Sequence, residues 1–269
     1  MSEGRSIPNR ALDAEGNVPG PPQAGPPTPA ATVVALRDGD SGPEALMLRR
    51  KRGGSFSGMW VFPGGKVEAG DAERAGIAAP DGVTPGLLDL TDEIAVAREA
   101  AVREAAEEAQ LVLEPGTLAV HSYWLPPPEA PRRFSTWFFV APAGPDGSIV
   151  VDRTEVHEYR WLAPEDAIAQ REAGTLALAP PTWMTLWQIG QHRDVASVMA
   201  DAGDRAPRRF ETHLWMRDGM AALVWEGDAG YGDGDLDRQG GRRRLWIADD
   251  RPWRVEFEIG PGPRPGTGA

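Results

Sequence analysis

The stretch Arg103-Glu104-Ala105-Ala106-Glu107-Glu108 constrains this chain more than any other, because it asks for a helix with an acidic stripe. At 3.6 residues per turn, positions 104, 107 and 108 share one face about 60° apart. Carboxylates so placed repel one another by roughly a few tenths of a kcal/mol per pair. A divalent cation reverses that sign. Hard oxygen ligands at this spacing suit Mg²⁺ or Mn²⁺, above all where a phosphate supplies further oxygens. Taken alone, the stripe reads more readily as a solvated charged face.

The rest of the helix favours the metal. Val102, Ala106 and Ala109 lie away from Glu104 and form a small apolar side that can lie close to a sheet. Thr91 is the expected N-cap, with Asp92 and Glu93 favoured in the first turn by the helix dipole. Upstream, an apolar strand from Met59 to Phe62 runs into Pro63-Gly64-Gly65. Without a Cβ, this backbone can turn sharply and approach a cation or a phosphate.

Together these two stretches resemble the Nudix box, G-x5-E-x7-R-E-U-x-E-E-x-G-U, where U is a bulky aliphatic residue. Gly65-x5-Asp71 is similar to its first half, and Arg103 to Leu111 to its second. Asp71 stands for the Glu, Ala105 for a bulky residue, and Gln110 for the Gly. Between Asp71 and Arg103 lie 31 residues, 72–102, far more than the x7 of the box. A box so split resembles the peroxisomal coenzyme A diphosphatase branch of the Nudix family and its bacterial relatives. Tyr123-Trp124-Leu125-Pro126, Arg133 to Phe139, Pro181-Thr182 and Glu226-Gly227-Asp228 extend the likeness, which covers about 31–260. Trp137 occupies a position where that branch would carry a base.

The resemblance implies an α/β fold, a Nudix-type α/β/α sandwich with a mixed sheet, extended by a C-terminal helix and β-hairpins. It implies Mg²⁺- or Mn²⁺-dependent hydrolysis of a diphosphate, with Glu104, Glu107, Glu108 and the Gly64/Gly65 backbone holding the metal. Glu104 or Glu155, the latter from a loop before Trp161, would take the proton from water. Arg103, Arg132 and Arg133 are the candidate substrate-binding residues. Coenzyme A or an acyl-CoA, split into 3′,5′-ADP and a 4′-phosphopantetheine, is the substrate implied. ADP-ribose or a nucleoside diphosphate sugar is the alternative, and a silent Nudix-like binding module the second.

Composition narrows the partners. A formal charge of −12 speaks against nucleic acid, which needs a basic footprint. The chain has no cysteine, hence no disulfide, thiolate metal site or cysteine nucleophile. No apolar leader follows Met1, no segment suits a membrane span, and the C-terminus is not the peroxisomal address. A cytoplasmic protein taking a small nucleotide diphosphate is expected, without a membrane partner, and compatible with a homodimer.

The organisation expected is a disordered Pro/Gly-rich tail over 1–30, a Nudix domain over 31–175 with an insertion at 72–90, a helical and β-hairpin extension over 176–259, and a disordered tail over 260–269. Strands are expected at Ala31–Leu36, Glu44–Leu48, Thr117–Trp124, Phe134–Ala141 and Val156–Leu162, and a helix from Pro164 to about Arg171. The basic run Arg49–Arg52 meets phosphates or simply solvates a strand end. A single amphipathic helix is expected from Thr182 to about Ala200, with Trp183, Leu186, Trp187 and Ile189 facing the core. Hairpins are expected around Arg217-Asp218-Gly219 and Asp249–Pro252, with Asp228–Gly241 a mobile loop between them.

Overall fold

The computed structural model describes residues 26–51, 56–78, 88–130, 132–144, 149–152, 154–248 and 251–257. The expectations for 1–25, for Pro80-Asp81-Gly82 and Pro85-Gly86, and for 258–269 fall outside those residues.

The central strand β1 (Thr28–Gly39) is buried without a break from Ala30 to Leu36, as a strand covered on both faces must be. Ala31, Val33 and Ala35 face one core and Val34 and Leu36 the other. The strand begins at Thr28, inside the tail expected to reach residue 30. A two-residue turn returns the chain antiparallel as β2 (Gly42–Arg50). Then follow the short strands β3 (Trp60–Val61) and β4 (Gly64–Lys66), helices α1 (Ala69–Arg74) and α2 (Leu90–Ala109), and strands β5 (Ala119–Leu125), β6 (Phe134–Pro142) and β7 (Val156–Leu162). After helix α3 (Pro164–Glu172) come α4 (Pro180–Ile189), α5 (Val195–Asp204) and strand β8 (Arg208–Glu211). The sheet runs β3-β2-β1-β6-β5-β8, with β4 against β1 and β7 against β2. It is mixed: β1 lies parallel to β6, and β5 to β8, while the other pairs are antiparallel.

Helix α2 covers one face. Ala97, Ala101, Ala105 and Ala109 pack on Ala31, Val33, Ala35 and Phe139, small residues on both sides that let helix and sheet approach closely. This corrects the expected packing side in part: Ala109 is core and Val102 packs against it as expected. Ala106 is exposed, and the packed face continues through Ala105 to the buried Glu108. The acids therefore sit at the edge of the contact with the sheet. The N-cap is Asp89, whose side chain accepts from Asp92 N at 2.9 Å, instead of Thr91.

The opposite face carries α3, α4 and α5. The expected long helix is two, because Asp194 caps a new start with a capping box to Ser197. Trp183, Leu186 and Ile189 are core, with Trp187 packed against it. A second sheet, β12 (Arg254–Phe257), β11 (Arg243–Ile247), β10 (Met220–Val224) and β9 (His213–Arg217), adds Leu223 and Ile247 to this same core, which Trp225 joins just beyond β10. Trp124 stacks on Phe210 at 4.0 Å, and Trp225 meets Trp124 edge-on. One apolar core thus runs across the boundary expected at 175/176. The β9–β10 turn has positive φ at Asp218 (49°) and Gly219 (77°), as a two-residue hairpin requires. The loop 228–241 is bonded, which the mobile reading did not foresee: buried Asp228 binds buried Arg244 (Nε–Oδ2 2.7 Å) and the N–H of Gly230 and Arg243.

Candidate functional site

Strand β4 lies along β1 with Gly65 opposite Ala31 and Gly64 opposite Thr32. Just before it, Pro63 O accepts from Val33 N at 3.0 Å and from Thr32 Oγ1 at 2.6 Å. The glycines are thereby fixed facing α2. Gly64 N donates to Glu108 Oε2 at 3.0 Å. A Cβ on Gly65 would stand 2.2 Å from Glu104 Oε1, so only glycine lets that carboxylate rest against the strand. The convergence expected of Glu104, Glu108 and the two glycines is present.

Arg50, at the end of β2, spans the other side. Its guanidinium pairs with Glu108 Oε1 and, through Nη2, with Glu155 Oε2 at 2.9 Å. Lys51 N holds the carbonyl of Glu155 at 2.9 Å, and Asp152 N bonds to the Glu108 carbonyl at 2.9 Å, so the loop before β7 is anchored to both β2 and α2. Among the described residues of the basic run, Arg50 is the one that pairs with Glu108 and Glu155.

Burial pushes Glu108 up to about 7, helped by the neighbouring charges of Glu104 and Glu155 and opposed by Gly64 N–H and Arg50. Glu104 is also raised, first by burial, against the pull of Arg103. Two desolvated carboxylates and a third nearby make a locus that attracts positive charge.

Arg103 and Glu107 need correction. Arg103 is expected to bind substrate, yet its guanidinium is spent within the protein. Nε reaches Asp71 Oδ1 at 3.1 Å, Nη2 reaches Lys66 O at 2.8 Å, and Nη1 reaches Glu104 Oε1 at 2.9 Å and Glu107 Oε2 at 3.0 Å. It is a clamp that sets the acids. Glu107, expected as a metal ligand, is 59% exposed and paired to Arg103, one step outside the Gly64–Gly65 contact. Arg132 is exposed and Arg133 half-buried at the start of β6, where Arg133 O accepts from Thr28 N at 2.9 Å and its Nε is buried without a hydrogen bond. Gln110, in the position of the box glycine, takes the left-handed conformation (φ 50°, ψ 29°) and ends the helix there.

Among the described residues, no three His, Asp or Glu side chains form a ready-made cation cage. The donor set nonetheless fits a hard divalent ion. Glu104 and Glu108 offer carboxylate oxygens beside a backbone no Cβ obstructs, and Glu155 offers a third across Arg50.

The family model described as NUDIX domain matches residues 90–182. The chain carries a Nudix domain. The match holds α2 and its acids, while Gly64 to Asp71 lie upstream of it and are joined to it by the Asp71–Arg103 pair. A curated Caenorhabditis elegans protein, provisionally named nudix hydrolase 7, is 26% identical over 176 residues, which is 55% of this chain and 56% of that protein. The chain thus spans little more than half the length of that relative. A crystal structure of a NUDIX hydrolase from Alicyclobacillus acidocaldarius superposes with a TM-score of 0.57 at 22% identity, covering 66% of this chain and 97% of that one. This likeness shows the mixed α/β fold of the Nudix domain. Among the described residues, no helix is long and apolar enough to cross a membrane.

Proposed function

We propose that this Nudix domain hydrolyses the diphosphate linkage of a nucleoside diphosphate derivative, with a divalent cation, Mg²⁺ or Mn²⁺, held by Glu104, Glu108 and Glu155. The observation that supports this reading is the arrival of Glu104 and Glu108 at Gly64 and Gly65, with the Gly64 N–H on Glu108. A bound cation of this kind neutralises phosphate charge and acidifies water. The chain's own residues do the remaining work. Arg103 holds Glu104 in position. Glu155, exposed at the rim, or Glu104 accepts the proton of the attacking water. Arg50, paired with Glu108 and Glu155, adds positive charge beside the site, and Arg132 and Arg133 supply more.

Coenzyme A or an acyl-CoA, cleaved to 3′,5′-ADP and a 4′-phosphopantetheine, is the substrate we place first, on the resemblance of the split box. Trp137 contributes no base to it: the ring is buried and its Nε1 donates to Glu93 Oε1 at 2.8 Å. That observation favours a second reading, ADP-ribose or a nucleoside diphosphate sugar, which lacks the 3′-phosphate. The test is a turnover screen with Mg²⁺ and Mn²⁺ on coenzyme A, acyl-CoAs, ADP-ribose, nucleoside diphosphate sugars and diadenosine polyphosphates, with Glu108→Gln in parallel. We expect one class to turn over and the folded variant to lose about 100-fold or more in kcat. Equal rates for the variant and the parent would overturn the reading.

A further inference from the structure

Next to Glu155, strand β7 departs from regular pairing. Arg49 of β2 lies opposite Glu158 and Arg50 opposite Val156, so His157 is the extra residue of a β-bulge. Residues directly opposite in an antiparallel pair project on the same side of the sheet. Val156 therefore shares the face of Arg50, and Tyr159, opposite Leu48, shares the face of Leu48. Leu48 and Val156 both belong to the core beneath α2. Three residues apart, Val156 and Tyr159 would point to opposite sides in a regular strand; the bulge puts both on the side where the acids lie.

Leu48 precedes Arg50 by two residues, about 7 Å along a strand. Tyr159 thus stands about that far along the sheet from the Arg50–Glu155 pair. It is a large aromatic that α2 does not cover, 41% exposed. Beside it lies a cleft of about 560 Å³ lined by Lys51, Val151, Val156, His157, Glu158 and Tyr159. The one acid in this lining, Glu158, is turned to Arg160 at 2.9 Å. An apolar floor, an aromatic ring and a lysine, with Lys51 and Val156 next in the chain to Arg50 and Glu155, match a planar ring carried on a phosphate ester.

We infer that this cleft receives the nucleoside half of the substrate, with Tyr159 as the stacking platform for the base and Lys51 toward the attached phosphate. The inference rests on the hydrolase reading for the place of the diphosphate beside Arg50. It makes Tyr159 a specificity-determining residue and selects nucleotides over non-nucleoside diphosphates.

The experiment is calorimetric titration of the full chain, with Mg²⁺ present, using ADP and, separately, inorganic pyrophosphate. The parent is expected to bind ADP more tightly than pyrophosphate. Tyr159→Ala should weaken ADP about 10-fold and leave pyrophosphate unchanged, while Tyr159→Phe keeps the ADP affinity. Equal affinity of the parent for both probes, unchanged ADP binding in Tyr159→Ala, or equal loss of both probes would each overturn the inference. No turnover is needed for this readout. Failure in the hydrolysis screen with a Tyr159-dependent ADP preference sinks the hydrolase reading alone; turnover without that preference sinks this one alone.

Discussion

Asp71 and Arg103 lie 32 residues apart in sequence and meet through two hydrogen bonds, Nε to Oδ1 at 3.1 Å and Nη2 to Oδ2 at 3.3 Å. The carboxylate is wholly buried and receives Glu68 N at 2.7 Å besides an ion pair with Arg74. Burial alone would raise its pKa, but Arg103, the Glu68 N–H and Arg74 together hold it below the usual aspartate range. This pair fixes the strand–glycine segment to the acidic helix across residues 72–102.

Asp71→Asn should therefore cost about 2–3 kcal/mol, since it leaves a largely buried guanidinium short of a counter-charge. The sign in pH follows from the lowered pKa: the contribution is complete above the unfolded pKa and is lost as pH falls through the lower folded one. Urea denaturation at neutral pH, and again in acid, reads both effects. A variant as stable as the parent at neutral pH would show that the pair does not hold the fold.

The two glycines should fail differently. A Cβ on Gly64 would meet Ala31 O and the Thr32 side chain at 2.6 Å, atoms of the sheet itself, whereas on Gly65 it meets the end of the Glu104 side chain at 2.2 Å. Gly64→Ala is expected to lose about 1–3 kcal/mol of stability, as overpacking does. Gly65→Ala should stay within about 1 kcal/mol of the parent, because a flexible carboxylate can swing aside. It should instead weaken Mn²⁺ binding about 10-fold. Thermal unfolding and Mn²⁺ titration by electron paramagnetic resonance distinguish them; the reverse pattern would refute the assignment.

Much of this was legible in the sequence, and the misses have physical causes. The acids at 104 and 108, the glycines and the β9–β10 turn follow from local spacing and from backbone conformations few residues accept. Strand β7 could be read to the residue, since Pro164 starts the following helix. The outward turn of Glu107 could not, because it depends on which acids the Arg103 clamp meets in three dimensions. Strand β8 pairs in parallel with β5 far upstream, and no local pattern announces such a partner. The break between α4 and α5 was hidden by apolar residues on both sides of Gly190–Asp194, although Asp194 with Ser197 three residues later is a readable start. Arg50 was seen, but among four basic residues nothing local singled it out.

Gln110 carries a conformational cost that can be removed. Its φ of 50° closes α2, where a residue with a Cβ is disfavoured. Because the side chain is exposed, Gln110→Gly should stabilise the chain by about 0.5–1 kcal/mol without touching the acids. Denaturant midpoints compare the two proteins, and a less stable variant would contradict the capping argument.

His121 gives the fold an acid-side weakness independent of the acids. It is buried in β5, with Nδ1 3.1 Å from Ser122 Oγ. Its pKa is held well below the usual range, first by burial and then by Arg205 and Arg208, with His192 adding and Asp201 opposing. A folded pKa below the unfolded one means that, as pH falls below about 6.5, the unfolded chain takes up a proton that the folded chain refuses. Stability is thus complete above that value and declines beneath it, by up to about 1.4 kcal/mol per pH unit from this residue. His192 is lowered as well and acts with the same sign. His121→Gln removes the buried titration while keeping a polar side chain. Its denaturation free energy should fall less steeply than the parent's between about pH 6.5 and 5. Parallel slopes for the two proteins would mean that His121 gains its proton in the folded state as readily as in the unfolded chain.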